Sequence, residues 1–220
     1  MEESTSREKV LKKVRNALIY KTDNPFPQVD FESPVYRPMD ESPDVNFAQE
    51  FTKVGGQFVY CEDEEDLVNN LAALTAENDW QDVHCTDPQL QYLLTQADVP
   101  FQSDNESFHG LKVGVTACEF LISRLGSIMI SSKQDSGRRL NVYPGVHVVI
   151  AYTWQIVPDL KDALTGIRER YSNRLPSLVS VITGPSRTAD IEKTLVMGAH
   201  GPKELYVFLT EAPEPGKEEE

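Results

Sequence analysis

SLVSVITGPSRTADIE, residues Ser177 to Glu192, is the stretch whose reading decides the fold. Leu178, Val179, Val181 and Ile182 make a short apolar, β-branched run, the composition of a buried strand. Thr183-Gly184-Pro185 breaks it, since proline brings no amide to a ladder. Ser186, Thr188 and Asp190 then stand just ahead of the helically spaced Ile191, Leu195 and Val196. The segment therefore predicts a strand, a tight turn and a helix start. In an α/β sheet such a turn lies at the carboxyl edge, where ligands bind. Unpaired amides at a helix start favour an anion there. Gly184 permits close approach of a ligand or of another backbone. The plainer alternative is that Ser186, Thr188 and Asp190 only cap the helix.

Outward from this segment, strand and helix alternate. Gln57 to Cys61, Val83 to Cys85, Leu111 to Val115, Gly126 to Ser131, His147 to Ala151 and Leu205 to Leu209 are expected strands. Asn46 to Val54, Asp63 to Glu77, Asp87 to Gln96, Cys118 to Ser123 and Pro158 to Tyr171 are expected helices. In the last of these, Leu160, Leu164 and Ile167 are spaced to face inward. The pattern predicts an α/β domain with a mainly parallel sheet and helices on both faces. The strands at 126–131 and 147–151 have no helix between them, so an antiparallel pair is expected there. Upstream, Ser6 to Tyr20 forms an amphipathic helix with Val10, Leu11, Val14, Ala17 and Leu18 on one face. Five of the fourteen prolines then crowd Lys21 to Asp44. The expected organisation is an N-terminal helix and Pro-rich arm at 1–44, an α/β domain at 45–210, and an acidic, disordered tail at 211–220.

The 220 residues carry a formal net charge of −14. Such a surface repels phosphate backbones and anionic lipid, which argues against nucleic acid and membrane partners. Met1-Glu2-Glu3 does not open a signal peptide, and no apolar run reaches membrane-spanning length. Cys61, Cys85 and Cys118 include no C-x-x-C pair, so the chain lacks the ligands of a four-cysteine iron–sulfur cluster. An odd cysteine count without a leader fits reduced thiols in the cytoplasm. G-x-G-x-x-G, Walker and G-x-S-x-G motifs are absent, which disfavours dinucleotide and P-loop sites.

Several residue sets can carry chemistry. Thr116-Ala117-Cys118-Glu119 has the spacing of a capping box. The functional alternative projects Glu119 into a crevice as a base or nucleophile. Cys118 beside it is either an activated thiol at a helix start or a buried, inert one. In Arg124-Leu125-Gly126-Ser127, Gly126 turns the chain, Ser127 opens a strand, and Arg124 is either solvated or set against a carboxylate or phosphate. Arg138 and Arg139 follow Ser136-Gly137 and are placed to clamp an anion. His147 opens a strand, and His200 sits in Gly198-Ala199-His200-Gly201-Pro202. His200, between glycines in a loop, is the more suggestive of the two for proton transfer. No histidine spacing matches a metal pair, so no metal site is expected.

Thr183-Gly184-Pro185-Ser186-Arg187-Thr188-Ala189-Asp190-Ile191-Glu192, followed by Gly198 to Pro202, resembles the C-terminal signature of the lactate utilization protein C family, the LUD-domain proteins. The set Arg138-x-x-Asn141-x-x-Pro144-x-x-His147 and the Gly114–Ser127 segment resemble earlier family blocks. The resemblance covers roughly Val113 to Leu209. It differs at Arg124 to Ser127, where the family usually has an acid before Thr-Gly-Thr, and at Asn141, where the family usually has Ser. The resemblance implies a NagB/RpiA/CoA-transferase-like fold. It also implies a cytoplasmic role in bacterial oxidation of lactate to pyruvate beside iron–sulfur partner subunits, with no cofactor on this chain. The ligand expected here is a small carboxylate or phosphate. It would lie against Gly184, Pro185, Ser186, Arg187, Thr188 and Asp190, with Gly126, Ser127, Arg138 and Gly201 around it and Glu119, His147 and His200 as catalytic candidates. Two rivals stand beside this: a stand-alone isomerase or CoA-transferase-like enzyme using Glu119, and a non-catalytic interaction domain docking through residues 21–44. A homo-oligomer is compatible with all three.

Overall fold

The computed structural model describes residues 5–19, 26, 28–30, 36, 38–103, 110–172, 174–188, 196–198 and 200–211. Residues 1–38 and 39–220 form two compact units. The first contains helix α1 (Ser6–Ile19), none of whose residues is buried. Its first turn is closed reciprocally: the Thr5 amide donates to Glu8 Oε2 at 2.8 Å, and the Glu8 amide to Thr5 Oγ1 at 3.3 Å.

The second unit runs in chain order through α2 (Pro43–Lys53), β1 (Gln57–Cys61), α3 (Glu64–Glu77), β2 (Val83–His84), α4 (Pro88–Gln96), β3 (Phe101–Gln102), β4 (Val113–Ala117), β5 (Phe120–Ile122), β6 (Ser127–Ser131) and β7 (Val146–Tyr152). It continues through β8 (Ile156–Val157), α5 (Leu160–Tyr171), β9 (Val179–Ile182), β10 (Arg187–Thr188), β11 (Val196–Met197) and β12 (Glu204–Thr210). Six strands in the order β1-β12-β7-β4-β2-β3 form a parallel sheet. Strands β8-β5-β6-β9 form a second, mixed sheet, and β10 pairs with β11 alone.

Strand alternation explains the layering. In β7, Val148 and Ile150 point to one face while Val149 and Ala151 point to the other; β12 does the same with Tyr206 and Phe208 against Leu205, Val207 and Leu209. Being buried on both faces, these central strands are nearly continuously apolar, as parallel strands are. The first face packs on Leu67 and Leu71 of α3 and Leu90, Leu93 and Leu94 of α4. The second packs on Phe47 and Phe51 of α2, stacked 5.3 Å apart, together with Leu121, Ile128 and Ile130 of the second sheet.

That second sheet is where the sequence expectations fail. Cys118 to Ser123 is not a helix: Phe120–Ile122 pairs antiparallel with β6, because tertiary pairing satisfies a short segment's backbone as well as a helix does. Residues 126–131 and 147–151 do not pair; β6 and β7 lie in different sheets. In α5, Ala163 and Ile167 are the buried residues, while Leu160 and Leu164 stay exposed. The chain after Gly184 also departs from the expected helix start, since Arg187–Thr188 is extended and hydrogen-bonded to Val196–Met197. Asp190, and the acidic stretch beyond Glu211, lie outside the described residues.

Candidate functional site

Two hollows open at opposite ends of the parallel strands. His147 and Leu205, each the second residue of its strand, line a cavity of about 270 Å³ at the amino end. Ala117 and Tyr152, each the last of its strand, line a wider crevice of about 780 Å³ at the carboxyl end. Along β7 the two are separated by roughly 16 Å at the usual rise per residue.

The smaller cavity gathers Arg138, His147, Gly184, Pro185, Ser186, His200 and Gly201, all singled out in the sequence, and adds Asn141. His147 is wholly buried. Its Nε2 lies 2.9 Å from Thr116 Oγ1, and its Nδ1 has no hydrogen-bond partner among the described residues. Desolvation holds the imidazole pKa down to about 4, so the ring is neutral at physiological pH. Asn141 is also buried; its Nδ2 donates to the Gly137 carbonyl at 3.4 Å, and its Oδ1 has no partner. Arg138 and His200 are exposed at the rim, and Arg138 Nη2 donates to Ser177 Oγ.

At the Gly184 turn the Ser186 amide and the Arg187 side chain are already engaged. The Ser186 amide donates to the Pro202 carbonyl at 2.9 Å, and Arg187 Nη2 donates to the Val54 carbonyl. Gly184 has φ +75°, and a Cβ there would fall 2.4 Å from the Val54 carbonyl oxygen. Of the two close approaches glycine permits, this one is to backbone. Gly126 and Ser127 are structural in the same way. Gly126 has φ +55° and would drive a Cβ to 2.2 Å from the Phe51 amide; Ser127 Oγ is buried 2.8 Å from Thr183 Oγ1. Thr188 lies in the β10–β11 ribbon, and neither it nor Arg187 lines the cavity.

Glu119 belongs to the crevice, not to the histidines. Its carboxylate is 2 % exposed and engaged on both oxygens. Ser131 Oγ (2.5 Å) and the Tyr171 hydroxyl (2.7 Å) donate to Oε1, and Arg170 Nη1 donates to Oε2 at 2.6 Å. The Tyr171 phenol is pushed up to about 12, by burial first and then by its bond to Glu119, so it stays a donor. The Arg170 guanidinium lies 4.9 Å from the Phe120 ring centroid and 5.9 Å from that of Trp154. The capping box does not form: Thr116 is in β4 and turns its hydroxyl to His147. Cys118 is a buried thiol raised by desolvation, with the Glu119 charge second. Arg124 faces a carboxylate of its own chain, with Nε 2.5 Å from Asp159 Oδ1.

The LUD domain family model matches residues 46–210, three quarters of the chain. The chain belongs to the LUD domain family. Among curated relatives, this LUD domain is 36% identical over 102 residues to lactate utilization protein C of Bacillus subtilis, covering 45% of this chain and 42% of that one. It is 29% identical over 138 residues to lactate utilization protein C of Shouchella clausii, covering 59% and 60%. The matches thus span about half the length of those relatives. A crystal structure of a DUF162 family protein from Deinococcus radiodurans shares the fold, with a TM-score of 0.56 at 19% identity over 76% of this chain and 96% of that one.

In the LUD domain, the residues that sequence reasoning missed are Thr116 as the partner of His147, and Asn141 as a cavity residue. Asn141 was visible in the Arg138-x-x-Asn141-x-x-Pro144-x-x-His147 spacing, but its unpaired oxygen needs the fold to be seen. Arg170, Tyr171 and Ser131 had no signal at all; they come from an ordinary helix face and a strand end. Among the described residues no cluster of three or more His, Cys, Asp or Glu could hold a metal ion, and no helix is long and apolar enough to cross a membrane.

Proposed function

We propose that this LUD domain is a component of a bacterial lactate-utilization system. It would act in the cytoplasm beside iron–sulfur subunits that carry the electrons of lactate oxidation to pyruvate. Its own part is to hold a small carboxylate or phosphate in the cavity at the amino end of the sheet. The involvement in lactate utilization rests on relatives that bear that name. The ligand site rests on one observation: Arg138, His147, Gly184, Ser186, His200 and Gly201, drawn from three distant stretches of sequence, line a single cavity. At about 270 Å³ it falls just under the usual range for drug-sized ligands, which favours a small metabolite over an acyl-CoA. A thermal-shift screen of small carboxylates and inorganic phosphate tests the site. A binder at a hundredfold its Kd adds about 2.7 kcal/mol of stability, and no response from any anion overturns it. Co-purification from lactate-grown cells tests the partnership, which fails if no iron–sulfur protein is recovered.

A second reading is favoured by the wide crevice at the carboxyl ends of the strands, the usual ligand position in open parallel sheets. There Glu119 would serve a stand-alone isomerase or transferase. Glu119→Gln should then abolish turnover by the isolated protein. The three donors already on its carboxylate favour a role in holding Arg170 and Tyr171 instead.

A further inference from the structure

Helix α1 is a basic segment of a strongly acidic chain. Five cations, Arg7, Lys9, Lys12, Lys13 and Arg15, stand against one anion, Glu8, so its 14 residues carry +4 while the whole chain carries −14. At helical spacing Val10, Val14, Ala17 and Leu18 share one face, with Leu11 beside them. Lys13 and Arg15 flank that stripe, one on each side, and Arg7 stands at its N-terminal end. None of the helix is buried, and Val10, Leu11, Val14 and Leu18 are each about half exposed or more. Helices of this length are marginal in water on their own, so the stripe has most to gain from a surface that covers it.

A surface of matching chemistry lies at one edge of the parallel sheet. Strand β1 pairs only with β12. Its alternation sends Val59 to the α3 face and Phe58 to the α2 face, with Tyr60 two residues on. Helix α2 buries Phe47 and Phe51 and carries Val45, Ala48 and Gln49, spaced i, i+3 and i+4, along another face. With Asp44, Phe58 and Tyr60 these residues line a groove of about 330 Å³ that shares no residue with either hollow. Its wall is largely apolar, and Val45 and Tyr60 are exposed. Its rim is acidic. The Tyr60 hydroxyl donates to Glu211 Oε1 at 2.8 Å. That bond first, then burial, then the charges of Glu211, Asp44 and Glu62 hold the phenol above its ordinary pKa. Among the described residues no ion pair neutralises any of these three carboxylates.

We propose that α1 of one copy docks in the α2–β1 groove of a second copy of this chain, and that reciprocal exchange gives a two-fold dimer. The stripe meets Val45, Ala48, Phe58 and Tyr60, while the flanking cations meet Asp44, Glu62 and Glu211. Complementarity in both senses, apolar to apolar and positive to negative, selects this occupant. Two α1 helices laid on each other would set +4 against +4. An anionic lipid surface would attract the helix but repel a chain of net charge −14. Exchange makes the same contact twice in one association. The 23 residues between Ile19 and Pro43 span roughly 80 Å when extended, enough to reach a neighbouring copy. The proposal stands apart from the ligand and the partner subunits proposed above.

Sedimentation velocity of the full-length protein tests this, and a dimer is expected. Val14→Asp in the stripe and Val45→Arg in the groove both change exposed positions, so circular dichroism should stay as it is. Each should weaken the dimer at least about tenfold, as loss of a central contact does. Mixed together, the two variants should dimerise again: the intact groove of the first takes the intact α1 of the second, and the introduced charges, opposite in sign, meet at the other contact. Docking within one chain gives no dimer to restore, and α1-to-α1 pairing gives a dimer that Val45→Arg leaves alone. A chain that stays monomeric at about 100 µM, a dimer indifferent to either variant, or a mixture that stays monomeric overturns the proposal. So does a monomer that co-sediments with phosphatidylserine vesicles through α1, which would make lipid the occupant.

Discussion

At the carboxyl end of the sheet, Glu119 has a donor on each oxygen, Arg170 among them. At the amino end, His147 and Asn141 are buried to the same degree, yet each keeps an atom unmatched. Both regions place polar chemistry beside a hollow, and by residue type Glu119 is the more obvious catalyst. The difference is in hydrogen-bond accounting. A closed network rigidifies the place where β5, β6 and α5 meet. An open one, in low dielectric, is costly unless something completes it. Burial of a titratable group therefore says little about function until its partners are counted.

Breaking the closed network should give the largest effect. Arg170→Met leaves a buried carboxylate without its cation and should cost about 4 kcal/mol, read as a lower midpoint in urea unfolding. A loss below about 1 kcal/mol would mean that Glu119 is not held by this pair, and the contrast between the two ends would weaken.

The open network should show itself in acid. His147 is held down to about 4 in the folded protein against 6.5 when unfolded, so between those pH values the unfolded chain binds more protons. Its contribution to stability is complete above pH 6.5 and is lost as pH falls toward 4. The loss is on the order of 3 kcal/mol in total. His147→Gln should flatten that part of the stability–pH curve, and an unchanged curve would show that the imidazole is not shielded from water.

Gly184 sharpens the comparison because it lines the cavity and yet abuts Val54. Gly184→Ala should lower stability by about 2–3 kcal/mol, combining the left-handed φ with overpacking, as measured by thermal unfolding. Lost anion binding at unchanged stability would show instead that this glycine serves the ligand. The smallest effect belongs to Asp87 in the crevice wall, whose carboxylate caps α4 by accepting from the Gln89 and Leu90 amides. Asp87→Ala should cost about 1 kcal/mol and Asp87→Asn almost nothing. A larger loss with Asn would point to a charge-dependent role in the crevice.

Much of the architecture was legible in advance. The apolar runs of β7 and β12 were readable as strands, and α3 and α4 as helices over 63–77 and 87–96; that β7 and β12 are the central pair, and that Asp63 and Asp87 cap the two helices, came from the structure. The family signature also picked residues that converge on one cavity. Three things were not legible. Phe120–Ile122 is too short for periodicity to separate strand from helix. The Gly184 turn has helix-cap residues, but Arg187 is drawn to Val54 and Ser186 to Pro202. Glu119 stands 28 positions before His147 in the chain, a spacing that carries no information about which end of a sheet each occupies.

The sequence by itself determined the central layers, because strand alternation in β7 and β12 and the leucine spacing of α3 and α4 are local properties of side chains; in α5 the same spacing misplaced Leu160 and Leu164. It also singled out Arg138, His147, Gly184, Ser186, His200 and Gly201, which the fold brings to one cavity, and Arg187 and Thr188, which it does not. Only the tertiary structure decided that Glu119 and His147 lie at opposite ends of the strands, and that one has a partner on each oxygen while the other keeps a nitrogen unmatched. Pairing between distant groups depends on the register and crossing of elements far apart in the chain, and it is that pairing which separates a fully bonded carboxylate from an imidazole and an amide that each keep one atom unmatched among the described residues.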